Sequence, residues 1–374
     1  MVDKHKRLRK ARKRQRIRQR KAQPVARTSR RQGFDKFYHD KYKQLFLVTI
    51  AMLVFAVLVI GHTYMSTGSF FYKGVSLAGG LTITVATEGA PLSVQAVETA
   101  LQGAFPDADF VVREVSEFGT QIGVTIEGST VTNSQESLDA LEKGIIGILD
   151  TFMSGAAAKV SSEVVGPSLG ASFFQQTTKA VLIAFVFMGM VVFLYFGSTT
   201  KQKAFVVLVS LLEGSLIWYS GNTIAFFAAI LLGICIAVLY LRLSMPSAAV
   251  IIAAVSTITF TIAIVDLMQM RLSTAGVAAF LMLIGYSVDT DILLSTRVLK
   301  RSGGTVYDRV KDALTTGLTM TGTTFIATIV AFLFTKSTVI KEIMLIIAIG
   351  LVADVLFTWI QNVGLLRWHL ERKQ

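Results

Sequence analysis

Of the 374 residues, 52% are hydrophobic and only 16% are charged, giving a mean hydropathy of +0.58. This excludes a soluble globular protein, which needs more charge to cover its surface, and the apolar residues gather in uncharged runs able to cross ~30 Å of hydrocarbon. The net charge of +13 belongs to one tail: residues 1–43 carry 18 Lys and Arg against three acids, whereas residues 66–175 carry four bases against 12 acids. The four His are scattered and the single Cys, Cys235, lies in an apolar run. That pattern gives no metal-ligand spacing and no disulfide framework, so no metal or cofactor is expected.

Residues 1–43 hold too few apolar side chains to build a core and read as a basic, disordered cytoplasmic tail. Such a tail suits anionic lipid or the ribosome, although a solvated topogenic segment is the plainer reading. Residues 44–65 form the first expected transmembrane helix. It is an anchor and not a cleaved leader, since GHTYMSTGS offers a poor cleavage site.

The texture changes over 66–175. Strands are expected at Val75–Ala86, Asp109–Val115, Gln121–Ile126 and Lys159–Val165, with a turn at Glu117-Phe118-Gly119. Helical spacing covers Pro91–Phe105 and Ser134–Phe152, the latter with Leu138, Leu141, Ile145, Ile148 and Leu149 on one face. The order β-α-β-β-α-β is that of a ferredoxin-like α+β unit, here extracytoplasmic.

A transmembrane bundle is expected over 176–366, with spans near 178–197, 204–220, 223–242, 246–267, 272–294, 313–334 and 338–360, and a cytoplasmic terminus at 367–374. With the tail inside, the inside loops hold two, one, five and three bases, and the outside loops none, one and two. That bias places both termini in the cytoplasm and makes the chain a multi-pass protein of the cell membrane.

An ionisable group in a span costs roughly 2.5–3.5 kcal/mol on insertion scales, so each must face protein or water. The apolar run 272–284 is too short to span alone, so its helix continues through GYSVDTDILL and carries Asp289 and Asp291 into the membrane. Two positions apart they point about 200° from each other, so at most one faces a given neighbour. The next span is rich in Thr, and its hydroxyls can serve a neighbouring carboxylate. Asp289, Thr290, Asp291, Thr319 and Thr323 are therefore the candidate proton relay or conformational switch, with a structural polar contact as the alternative. Asp354 reads as an interhelical hydrogen-bonding group.

These segments carry a resemblance. GYSVDTDILLSTRVLKR (285–301), with Gly285, Tyr286 and Arg297, resembles the signature closing the fourth core span of the SecD/SecF protein-export membrane proteins, in the form of their archaeal SecF branch. GVSLAGG (74–80) is similar to the motif that opens that family's outside domain, with Gly79 and Gly80 as its pair. EVVGPSLG (163–170), with Gly166 and Pro167, resembles the return to the membrane, and the ending from Asp354 through Trp368 is similar too. The resemblance implies a non-enzymatic accessory subunit of the Sec translocon, in the resistance-nodulation-division superfamily. It implies pairing with SecD beside the SecY channel and contact with translocating polypeptide, with coupling to the proton gradient left open.

Two departures stand out. The bacterial motif has an Asp where this chain has Thr290, and its Arg in the following span has no counterpart, because 313–334 contains neither Lys nor Arg. The family pattern also has six spans, which makes an inserted hairpin within 198–242 the simplest account of the extra apolar length. Two competing readings are a small-molecule exporter half of the same superfamily, which needs a large apolar outside pocket, and an intramembrane aspartyl protease, which needs Asp289 and Asp354 to meet.

Overall fold

The computed structural model describes residues 41–87, 92–117, 120–130, 135–153, 160–219, 223–300 and 305–371. The basic tail up to residue 40, the turn tip at 118–119, the expected helix start at Pro91 and strand start at Lys159, and residues 372–374 lie outside the described residues. Helix α1 (Tyr42–Thr67) leads into a short turn of helix, α2 (Val75–Ala78), and then strand β1 (Gly80–Ala86). Next come α3 (Val94–Ala104), β2 (Ala108–Glu117), β3 (Thr120–Thr130), α4 (Gln135–Phe152) and β4 (Val160–Val165). The sheet order is β4-β1-β3-β2, antiparallel throughout, with Ile83 opposite Ile126 on one side and Ser162 on the other. This is the ferredoxin-like arrangement that the order of elements predicts.

Period-two burial in β1 (Leu81, Ile83, Val85) meets period-3.6 burial in α4 (Leu138, Leu141, Ile145, Leu149), with Val97 and Leu101 of α3 closing the core. The opposite sheet face is polar. Thr82, Thr84, Arg113, Thr125, Glu127 and Glu163 look across a cavity of about 490 Å³ toward Arg271, Lys341 and Glu342 of the bundle.

The strand expected from Val75 starts only at Gly80. Gly79 and Gly80 have φ of +86° and +143°, a sharp break that ends α2 and redirects the chain into the sheet. A Cβ on Gly79 would come within 2.7 Å of Pro167 Cα, and one on Gly170 within 2.5 Å of Gly79 N. The two glycine-bearing motifs are thus one crossing point, where the chain enters and leaves the domain.

The bundle follows: α5 (Pro167–Phe196), α6 (Thr200–Trp218), α7 (Thr223–Leu243), α8 (Met245–Leu267), α9 (Thr274–Lys300), α10 (Val306–Phe334), and α11 (Thr338–Leu356). The last continues through a π-helical turn, Phe357–Asn362, into α12 (Val363–Glu371). Six of these, counted among the described residues, are long and apolar enough to cross a membrane: α1, α5, α8, α9, α10 and the last helix. Helices α6 and α7 pack on each other in the stretch where the inserted hairpin is expected. Helix α10 starts seven residues earlier than its apolar run. Thr305 caps it, accepting from Asp308 N at 3.2 Å while Asp308 Oδ2 accepts from Thr305 N at 3.0 Å, so polar residues are recruited into its first turns.

Domain and bundle are stitched together. Gly74 N donates to Leu272 O and Leu272 N to Tyr72 O, each at 2.8 Å, tying the domain entry to the α8–α9 loop. Arg271 pairs with Asp109, and Lys341 Nζ donates to Ser116 O at 2.5 Å. Glu342 accepts from both the backbone N and Oγ of Ser273 at 2.8 Å, which satisfies the start of α9 and fixes α11 beside it.

Gly79→Ala strains a positive φ and drives a methyl into Pro167, so it is expected to cost about 1–3 kcal/mol. Gly147→Ala, in an exposed helical position with open space around it, is expected to stabilise by up to about 1 kcal/mol. Thermal unfolding of the detergent-purified protein checks the pair; equal behaviour of the two variants would remove the crossing point from the account.

Candidate functional site

Among the buried polar side chains of the bundle, one cluster lies where α9 meets the last helix. Asp291 of α9 is fully buried, as are Asp354, Thr358 and Asn362 on the facing helix. Asn362 Nδ2 donates to Asp291 Oδ1 at 2.7 Å, and Thr358 Oγ1 donates to Asp354 Oδ1 at 3.3 Å. The two carboxylates lie within electrostatic reach of each other, with the Thr358 hydroxyl near both. Ser287, about one turn before Asp291, lies beside Asp354. On the flank, Gln361 Nε2 donates to Ser256 Oγ of α8 at 3.1 Å.

The π-helical turn explains how one helix delivers so many groups to one neighbour. Asp354, Thr358 and Asn362 are spaced by four, and an α-helix rotates such positions by about 40° per step, away from a fixed partner. The wider turn over Phe357–Asn362 opposes that drift and keeps Asn362 on α9. Close approach comes from Gly350, whose missing side chain is occupied by Leu283.

The electrostatics of the pair are unusual. Oδ2 of Asp291 and Oδ2 of Asp354 are both buried without a hydrogen-bond partner. Neither carboxylate has a salt-bridge partner among the described residues. The pair therefore presents two buried acceptor oxygens with vacant lone pairs and no counter-ion among the described residues.

The structure separates the residues singled out from sequence. Asp289 is exposed on the other face of α9, together with Gly285 and Tyr286, so Asp289 and Asp354 do not meet. Thr290 is buried and bonds back to Tyr286 O at 3.1 Å. Thr319 and Thr323 are exposed and bond within their own helix, to Thr315 O at 2.7 Å and Met320 O at 2.8 Å. The hydroxyls at the carboxylates come from Thr358 of the last helix and Ser287 of α9, and not from α10. Arg297 joins α9 to α10, donating to Asp312 O at 2.8 Å. Gly79, Gly80, Gly166 and Pro167 sit at the domain crossing. Sequence reasoning passed over Ser256, Ser287 and Gln361; the available signal was a lone polar residue in an otherwise apolar span, as at Asp291.

A helical membrane protein with a ferredoxin-like domain and a buried carboxylate pair is the class this geometry defines. The family model for "Protein export membrane protein SecD/SecF, C-terminal" matches residues 148–220 and 214–372. The protein-export membrane protein SecF of Haloferax volcanii is 32% identical over 87% of this chain and 92% of its own length. That of Pyrococcus furiosus is 29% identical over 89% and 92%, and that of Methanothermobacter thermautotrophicus 30% over 88% and 93%. The crystal structure of SecDF, a translocon-associated membrane protein from Thermus thermophilus, superposes with a TM-score of 0.56 at 18% identity; it covers 89% of this chain but 38% of that one. The chain belongs to the SecD/SecF family of protein-export membrane proteins.

Asn362→Ala leaves Asp291 Oδ1 buried without its donor, and a loss of about 1–3 kcal/mol is expected in thermal unfolding. Thr319→Ala, which removes an exposed hydroxyl bonded within its own helix, is expected to stay within about 0.5 kcal/mol. Similar losses from both would contradict the placement.

Proposed function

We propose that the chain is an accessory subunit of the Sec translocon that pairs with SecD beside the SecY channel and promotes polypeptide export across, and insertion into, the cell membrane. In this reading both termini are cytoplasmic, the 66–175 domain faces outside, and the basic tail meets anionic lipid or the ribosome. The family membership and the SecF-named relatives support the pathway.

The observation that carries the mechanism is the Asp291–Asp354 pair. A proton on either vacant Oδ2 removes one of the two buried negative charges, and loss of the proton leaves two that repel. Protonation therefore favours a close approach of α9 and the last helix, and deprotonation a looser one. Both helices are tied to the outside domain, through Leu272 on one side and Lys341 on the other, and to each other through Ser273 and Glu342. Proton uptake and release at the pair thus bias the position of the domain that handles emerging polypeptide.

Pairing with SecD is supported by Asp289. A carboxylate exposed on a spanning helix must be covered by protein or water. The strip formed by Gly285, Tyr286 and Asp289 is the face of α9 that a partner subunit would cover, with the exposed Thr319 and Thr323 of α10 offering a second surface. The solved SecDF chain extends well beyond the 38% matched here, in keeping with a further subunit's worth of structure in that protein.

Reconstitution tests both parts. Asp291→Asn and Asp354→Asn are expected to lower gradient-stimulated export in membrane vesicles by at least about tenfold while SecD still co-purifies in mild detergent. Undiminished stimulation in a folded variant would remove the proton role, and failure to recover SecD with the intact protein would remove the pairing.

A further inference from the structure

The α6–α7 hairpin holds a buried carboxylate that the mechanism above does not use. Leu208, Leu211 and Leu212 of α6 and Leu231, Ile234 and Val238 of α7 are exposed, while Trp218 and Tyr219 stand exposed at the turn end and Lys201, with the half-buried Lys203, at the other. A leucine-rich outer surface ending in aromatics on one side and lysines on the other suits contact with lipid. The 19 residues of α6 rise about 28 Å, close to the hydrocarbon thickness.

Within that hairpin Glu213 is only 6% exposed. Its Oε1 lies over Gly233 of α7, so close that a Cβ there would come within 2.8 Å. Ser210, three residues back on the same face of α6, is fully buried, and Tyr240 of α7 is 5% exposed. Tyr240 neighbours both Ser210 and Glu213, yet Ser210 Oγ and Tyr240 OH have no hydrogen-bond partner. The Tyr240 ring is held in place by stacking on Phe193 of α5 at 5.2 Å and by the small Gly189 beside it.

The cations of the neighbouring elements stand elsewhere. Lys179 of α5 donates to Trp218 O at 3.1 Å, Arg242 is exposed in the last turn of α7, and Lys203 is ten residues from Glu213, about 15 Å along the helix. One carboxylate and two vacant hydroxyls therefore converge in an apolar seam with no fixed positive charge among the described residues. We propose that Glu213, Ser210 and Tyr240 form a second binding site, for a small monovalent cation, a proton or sodium, inside the hairpin. The site is built from different helices than the Asp291–Asp354 pair and does not depend on that reading.

The intact protein in detergent tests it with dicyclohexylcarbodiimide, which modifies protonated carboxyl groups in apolar surroundings, and mass mapping of α6. A proton site gives a Glu213 adduct that rises about tenfold between about pH 9 and about pH 6, in sodium and potassium chloride alike. A sodium site gives an adduct that sodium, and not potassium, suppresses at fixed pH. Glu213→Gln should abolish the adduct, while Tyr240→Phe and Ser210→Ala shift the pH midpoint or the half-protecting sodium concentration several-fold. An adduct indifferent to pH and to sodium, or none under any condition, would overturn the proposal.

Discussion

The bundle is organised around the burial of Asp291. A carboxylate in the interior of a membrane protein must be answered by the helix it faces, and here the answer is Asn362, brought round by a π-helical turn. That requirement fixes the rotation of the last helix. Its height is set from the other end, where Glu342 caps α9 through Ser273, and midway by Leu283 filling the space at Gly350. With rotation and height fixed, Asp354 and Thr358 fall beside Asp291, and a single hydrogen-bonded contact becomes a carboxylate pair.

The same two helices carry the ties to the outside domain. Leu272 and Ser273 precede α9, while Lys341 and Glu342 lie near the start of α11, and all four contact the domain, its entry segment or each other. The polar sheet face and the cavity of about 490 Å³ beneath it separate the domain from most of the bundle top. The connection is a few defined contacts around a void, a construction better suited to hinged motion than a continuous hydrophobic interface would be.

Much of the fold was legible because two periodicities speak plainly. Alternation marks β1 and a four-residue rhythm marks α4, and the inward residues they name are the ones that form the core. The false strand over Val75–Ala78 shows the limit: its β-compatible residues are overruled by two positive-φ glycines and by backbone pairing to Leu272, almost 200 positions away. The early start of α10 is a capping effect that hydropathy does not register. At the site, helix geometry alone separated Asp289 from Asp291. Which of the two turns inward depends on neighbours, and the hydroxyl partner could not be read from Thr content, because the threonines of α10 satisfy themselves on their own backbone. The π-helical turn leaves no mark in the sequence, so the meeting of Asp354 with Asp291 appears only in three dimensions.

The central claim is that the Asp291–Asp354 pair holds an exchangeable proton in the membrane interior. Infrared difference spectroscopy of the lipid-reconstituted protein, taken between acidic and alkaline buffer, reads this directly as the carbonyl stretch of a protonated carboxyl. The account predicts such a band, shifted by deuterium exchange and missing in both Asp291→Asn and Asp354→Asn. A band that persists in both variants, or its absence from the unmodified protein, would contradict it.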